Sequence, residues 1–266
     1  MQVSVISIIF MAISAVISIG LPVGFFIFIY KKYNAKFLPM IIGAAAFIIF
    51  VLVLEASIHS IVFKMYPLRE KPLVYILYGV FMAGIFEETA RLISFKILKK
   101  KYTGIETGLS YGIGHGGTEA VLLAGTSMIA AIIFSIMINT GNTEAITGKL
   151  QGEALIQTET QLNTIINTAP YMFLISGVER IFAIIIHISL SVIMFYSVFC
   201  KGKIWLFPLA IVLHAIVDIP AAAMQVNILK SLLFVECLTA LLCAAVTITA
   251  YFVHKTLKDG EPKKVL

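Results

Sequence analysis

Glu87, Glu88 and Arg91 lie in the stretch GIFEETARLIS (84–94), which otherwise reads as a membrane span. A charge at the bilayer centre costs about 2.5–3.5 kcal/mol on insertion scales, so such groups usually face the protein interior and mark function. Their spacing suggests what that function needs. Glu87 with Arg91, His115 with Glu119, and His214 with Asp218 are each four residues apart, hence on one helix face. In the two histidine pairs a carboxylate can fix the tautomer and orientation of the imidazole, as catalytic and metal-ligating histidines require. Arg91 can hold one of the adjacent glutamates ionised, and two like groups in different protonation states suit general base and general acid work.

The elements that must position these residues are membrane helices. The chain has 266 residues, of which 60% are hydrophobic and 13% charged, and a mean hydropathy of +1.00. Soluble domains run at about 45–50% apolar and about 25% charged. The composition predicts an all-α, polytopic membrane bundle forming a single integral membrane domain over 1–266. Seven stretches reach the length a bilayer core demands: roughly 3–30, 37–62, 72–98, 107–138, 169–200, 204–222 and 228–253. The N-terminus lacks a basic start and a small-residue cleavage site, so the first span is expected to be retained. Cys200, Cys237 and Cys243 lie in or beside apolar runs, which predicts neither a disulfide framework nor a C-x-x-C metal site.

Basic residues set the expected orientation. Thirteen lysines follow spans 1, 3, 5 and 7: Lys31, Lys32, Lys36, Lys96, Lys99, Lys100, Lys101, Lys201, Lys203, Lys255, Lys258, Lys263 and Lys264. The alternate side holds five basic residues, Lys64, Arg69, Lys71, Lys149 and Lys230. The positive-inside rule then places the N-terminus out and the C-terminus in, with an extracytoplasmic loop at 139–168 and a cytoplasmic tail at 255–266. The formal net charge of +6 is thereby a topology signal, not a nucleic-acid surface. Within the loop, Leu155, Leu162, Ile165 and Ile166 recur at helical spacing, predicting a helix that leads to Pro170.

Depth gathers the polar groups. Counted from the cytosolic ends at about 1.5 Å per residue, Glu87, Glu88, His115 and His214 share one level some 12–15 Å below that surface. Structural polar residues need not converge so. Glu55 with His59, and Glu236, have no partner motif and read as polar bridges. In YGIGHGGTEA (111–120) the glycines around His115 suit close helix packing, or a bare backbone through which a substrate strand reaches the histidine.

With these motifs assembled, EETAR (87–91), GHGGTE (114–119) and HAIVD (214–218) resemble those of the YhfC-type intramembrane proteases, themselves similar to the Abi/CAAX-protease and PrsW grouping. The resemblance covers the third to sixth spans. It implies a catalytic core at about 72–222, a glutamate pair that activates water, two histidines that stabilise the oxyanion, and Asp218 supporting them. Two departures stand out: Arg91 comes one residue earlier than in E-E-x-x-x-R, and the second motif is Gly-rich and carries Glu119 instead of reading F-x-x-x-H. The first leaves open which glutamate is the base, with Glu87 favoured; the second argues against assuming prenylated CAAX substrates. Glu179, Arg180 and His187 are an additional candidate set, expected farther toward the outside.

The expected function is an intramembrane endopeptidase in the bacterial plasma membrane, acting on peptide or membrane-protein substrates, with catalytic residues Glu87, Glu88, His115, His214 and Asp218. Arg91, Glu119, Glu179, Arg180 and His187 are expected to support them. No cofactor is required by this mechanism; in a zinc variant the ligands would be Glu88, His115 and His214. The rivals are an ion- or proton-coupled transporter or channel using the same cluster, and a non-catalytic sensor or immunity protein.

Overall fold

The computed structural model describes residues 2–260. Lys263, Lys264 and the rest of the expected tail beyond 260 lie outside the described residues. Among the described residues all regular structure is helical, and seven helices are long and apolar enough to cross a membrane. These are α1 (Val5–Tyr33), α2 (Phe37–Met65), α3 (Pro72–Leu98), α4 (Glu106–Asn139), α6 (Pro170–Phe199), α7 (Leu206–Gln225) and α8 (Leu232–Leu257). A further helix, α5 (Gly152–Asn167), occupies the polar loop and buries Leu162 and Ile165, two of the residues whose spacing predicted it.

Local chemistry explains where the spans begin and end. Pro72 and Pro170 open α3 and α6, where the missing proline N–H costs no helical hydrogen bond. Asn34 and Asn227 follow α1 and α7 in the left-handed conformation, and Gly202 adopts it in the short turn between α6 and α7. Two spans widen into π-helix, α2 over Ile48–Glu55 and α4 over Ala120–Gly125.

The chain divides into two compact units, Met1–Leu21 with Glu119–Ile181, and Pro22–Thr118 with Phe182–Leu266. In the first, Val3, Met11, Ala131, Ile138, Leu162, Ile165 and Phe173 form a core. Asn139 clamps the chain start, accepting from the Val3 N–H at 2.7 Å and donating to its carbonyl at 2.9 Å. Ser14 Oγ donates to the Phe173 carbonyl at 2.5 Å.

The second unit packs Phe95, Tyr111, Leu190, Ile193, Phe195, Leu206 and Val217 at its centre. Lipid tails are as apolar as leucine, so helices in a membrane associate through close packing, with small residues at their contacts. The Gly-rich segment of α4 does this on several sides. A Cβ on Gly114 would run into the Met40 carbonyl of α2, and one on Gly43 into the Tyr111 carbonyl of α4, so these two backbones interlock. A Cβ on Gly112 would lie 2.6 Å from Ile188 Cα, one on Gly116 2.8 Å from the His187 ring, and one on Gly117 2.7 Å from Pro22. Neighbouring helices already fill the space these glycines leave, so close packing accounts for the segment. At a second close approach, a Cβ on Gly84 would lie 2.9 Å from the Ile211 carbonyl, so α7 packs tightly against α3.

Candidate active site

Each residue of the buried cluster in the second unit comes from one of four spans. α3 supplies Glu87, Glu88 and Arg91, α4 supplies His115, α6 supplies His187, and α7 supplies His214 and Asp218. Arg91, Glu88 and His115 are fully buried, and Glu87, His187 and His214 nearly so.

The adjacent glutamates diverge, as a helix dictates, since neighbouring residues point about 100° apart. Glu87 faces the histidines. Its Oε2 lies 2.8 Å from His115 Nε2 and 3.7 Å from His187 Nδ1, and its Oε1 lies 3.6 Å from His214 Nε2. Glu88 faces the guanidinium: its Oε1 accepts from Arg91 Nη1 and from His214 Nδ1, the latter at 2.8 Å. Arg91 spreads its fork, with Nη2 donating to His187 Nδ1 at 2.5 Å and standing 3.7 Å from Glu87. These bonds define tautomers. His214 donates its Nδ1 proton to Glu88, so Nε2 is the nitrogen directed at Glu87. His187 accepts from Arg91 at Nδ1, which places any single ring proton on Nε2. Phe47 of α2 meets the His115 ring edge-on at 5.3 Å, walling the site from a span that carries no motif.

Two expectations are corrected. His187, expected toward the outside with Arg180, belongs to the cluster, its ring 5.1 Å from that of His115 and 5.8 Å from that of His214. The His115–Glu119 brace is not made. Glu119 accepts from Arg180 at 2.8 Å, and His115 Nδ1 has no hydrogen-bond partner. A guanidinium is the stronger partner for a carboxylate. Arg180 also bonds Glu179, at 2.5 Å, so Glu119, Glu179 and Arg180 form an ion-pair set of the first unit. His214 and Asp218 approach to 3.6 Å, an ion-pair distance rather than a hydrogen bond, and the Asp218 side chain is 38% exposed.

The cluster also has the donors of a metal site. Glu87, His115 and His187 each offer a ligand atom, and these atoms all lie within 4.8 Å of one another. Two histidines and one carboxylate are a known catalytic zinc set. The charge fits as well, since Arg91 alone balances Glu87 and Glu88 among the fixed charges, with Asp218 beside them. This is a different trio from the one expected for a zinc variant: Glu87 and His187 converge on His115 where Glu88 and His214 were expected, and Glu88 Oε1 is turned to Arg91 and His214.

Seven membrane-length helices, four of which bring carboxylates and histidines into one buried cluster, define a multi-pass membrane protein. Residues 17–239 match the model of the YhfC intramembrane metalloprotease family, and the chain belongs to that family. It is similar to a Bacillus subtilis (strain 168) protein described as "Uncharacterized membrane protein YhfC", with 34% identity over 256 residues, 94% of this chain and 96% of the relative. No solved structure matches it. The chain is thus a multi-pass membrane protein of an intramembrane protease family.

Proposed function

We propose that the protein is an endopeptidase that cleaves membrane-associated peptide substrates at Glu87, within a catalytic core of about 72–222. The observation that carries this reading is the Glu87 carboxylate, placed within 3.7 Å of histidines from three other helices. Glu87 accepts the proton of the attacking water and passes it to the leaving nitrogen. His115 holds the carboxylate through Oε2. His214, its Nδ1 proton anchored on Glu88, acts as the imidazolium beside Asp218 and donates Nε2–H at the place where negative charge develops. Glu88 and Arg91 act through these groups and do not touch the substrate. A divalent metal such as zinc would be held by Glu87 Oε2, His115 and His187 in place of the His115–Oε2 bond, leaving Glu87 Oε1 for the proton, and would supply Lewis acidity to the water and the scissile carbonyl.

The test is cleavage of a single-span reporter by the purified protein in liposomes, with bound zinc counted in parallel. The expected result is cleavage, about one zinc per chain, and loss of both on exhaustive chelation, reversed by added zinc. Full cleavage by a chelated, zinc-free protein would confine the chemistry to the side chains. Ion flux without cleavage would give the cluster to transport.

The site opens to the cytosol if the lysine-rich ends lie inside, with 139–168 outside. In a background without Cys200, Cys237 and Cys243, a cysteine placed at Thr143 is expected to react with an impermeant maleimide in intact cells. Labelling only after the cells are opened would invert the topology.

A further inference from the structure

The polar loop folds around a cavity of its own. α4 stops at Asn139, and Gly141, at φ 69°, turns the chain back into a single helical turn at Glu144–Thr147. Gly152, at φ 59°, then starts α5. Between these segments lies a cavity of about 410 Å³, wholly within the first unit. Small-ligand sites run at about 300–1,000 Å³, with an apolar lining and a few polar groups that fix orientation. One face of α5 forms much of the wall, because Glu159, Leu162, Asn163 and Ile166 stand at i, i+3, i+4 and i+7. Leu162 and Ile166, with Ile138 of α4, make an apolar floor continuous with the core of the unit. Thr143, Glu159 and Asn163 make a polar rim. The Thr147 hydroxyl is spent on the Thr143 carbonyl at 3.1 Å. Among the described residues, the side chains of Thr143, Glu159 and Asn163 have no hydrogen-bond or ion-pair partner.

Charge narrows what this cavity takes. The chain carries a net +6, yet 139–168 holds three glutamates, Glu144, Glu153 and Glu159, against the single Lys149. Glu153 accepts from Gln157 Nε2 at 3.0 Å, and Glu159 is the one charged residue of the lining. We propose that the cavity binds a primary ammonium carried on a short apolar group, as in a free amphiphilic amine or the first residue of a peptide with an apolar side chain. An ammonium offers three N–H donors and no acceptor. It donates to the Glu159 carboxylate, in a charge-assisted bond, and to the Thr143 hydroxyl. The apolar group lies on Ile138, Leu162 and Ile166. The Asn163 amide both donates and accepts, so it takes the amide that follows the ammonium in a peptide. A carboxylate in the same place would meet Glu159 and be repelled.

Equilibrium dialysis of radiolabelled leucine amide against the full-length protein in nanodiscs tests this without any cleavage. The expected result is one leucine amide per chain above the level held by empty nanodiscs. N-Acetylleucine amide, which keeps the apolar group and loses the ammonium, should not compete. Glu159→Gln should weaken binding about tenfold, the lower end for a hydrogen bond to a charged group. Glu153→Gln, on the same helix but outside the lining, should bind as the wild type does. Asn163→Trp fills the cavity from an exposed position, so it should fold normally and bind nothing. A tetrapeptide amide beginning with leucine separates the two sources: binding as tight as that of leucine amide assigns the cavity to peptide N-termini, and weaker binding assigns it to free amines. Equal competition by the acetylated compound would overturn the ammonium site. So would equal losses in Glu153→Gln and Glu159→Gln, undiminished binding in Asn163→Trp, or no uptake by the wild type above empty nanodiscs.

Discussion

Glu87→Gln is expected to insert and fold as the wild type does and to cleave about 10²–10⁴-fold more slowly, the range for loss of a general base. Glutamine matches the size of glutamate and can still accept from His115 Nε2, so the helix contacts survive while the proton acceptor is gone. His115→Ala is expected to fall as far, because it removes the 2.8 Å bond that holds the carboxylate. Glu88→Gln should be milder, about tenfold, since its amide oxygen still accepts from His214 and Arg91 and no step places a proton on it. Bound metal adds a second readout. Zinc should be lost from Glu87→Gln, His115→Ala and His187→Ala and retained in Glu88→Gln, following the trio whose ligand atoms converge. Zinc lost from Glu88→Gln and kept in His187→Ala would restore the set expected for a zinc variant, Glu88, His115 and His214. Undiminished cleavage in Glu87→Gln would move the chemistry away from this carboxylate.

The membrane spans were legible because length and apolar content decide them nearly alone. The polar groups inside them stood out for the same reason, each being costly where it sits. Finer geometry was less accessible. Pairing His187 with Arg180, seven residues earlier in the sequence, suggested a place away from the cluster. Measured from its own helix end His187 is twelve residues before Phe199, nearly the eleven that separate Glu87 from Leu98. Four-residue spacing permits a brace without selecting it, and Arg180, 61 residues along the chain, takes Glu119 in place of His115. The glycines of α4 were ambiguous because composition does not say whose backbone approaches them; Met40, Ile188 and Pro22 do. Glu55 and His59 were legible as a pair, and their side chains meet at 3.0 Å, but Tyr78, whose Oη lies 3.0 Å from His59 Nδ1, is an ordinary interfacial aromatic in the sequence.

Arg91 carries the second large effect, on stability as well as rate. It is fully buried and reaches Glu88 through one nitrogen of its fork and His187 through the other. Arg91→Ala leaves Glu88 as a buried carboxylate without its counter-charge, a change that costs about 3–5 kcal/mol when one partner of a buried pair is removed. The expected result is a much lower melting temperature in detergent and no measurable cleavage. Arg91→Lys keeps the charge on a point donor that cannot span both partners, so it should stay folded with partial activity. The double variant Glu88→Gln with Arg91→Met separates the two roles. It removes both charges together, so most of the lost stability should return. Cleavage should not, because Arg91→Met also removes the donor that sets the His187 tautomer. Recovery of stability and rate together would make Arg91 a counter-charge only, and a wild-type rate in Arg91→Ala would remove it from the site.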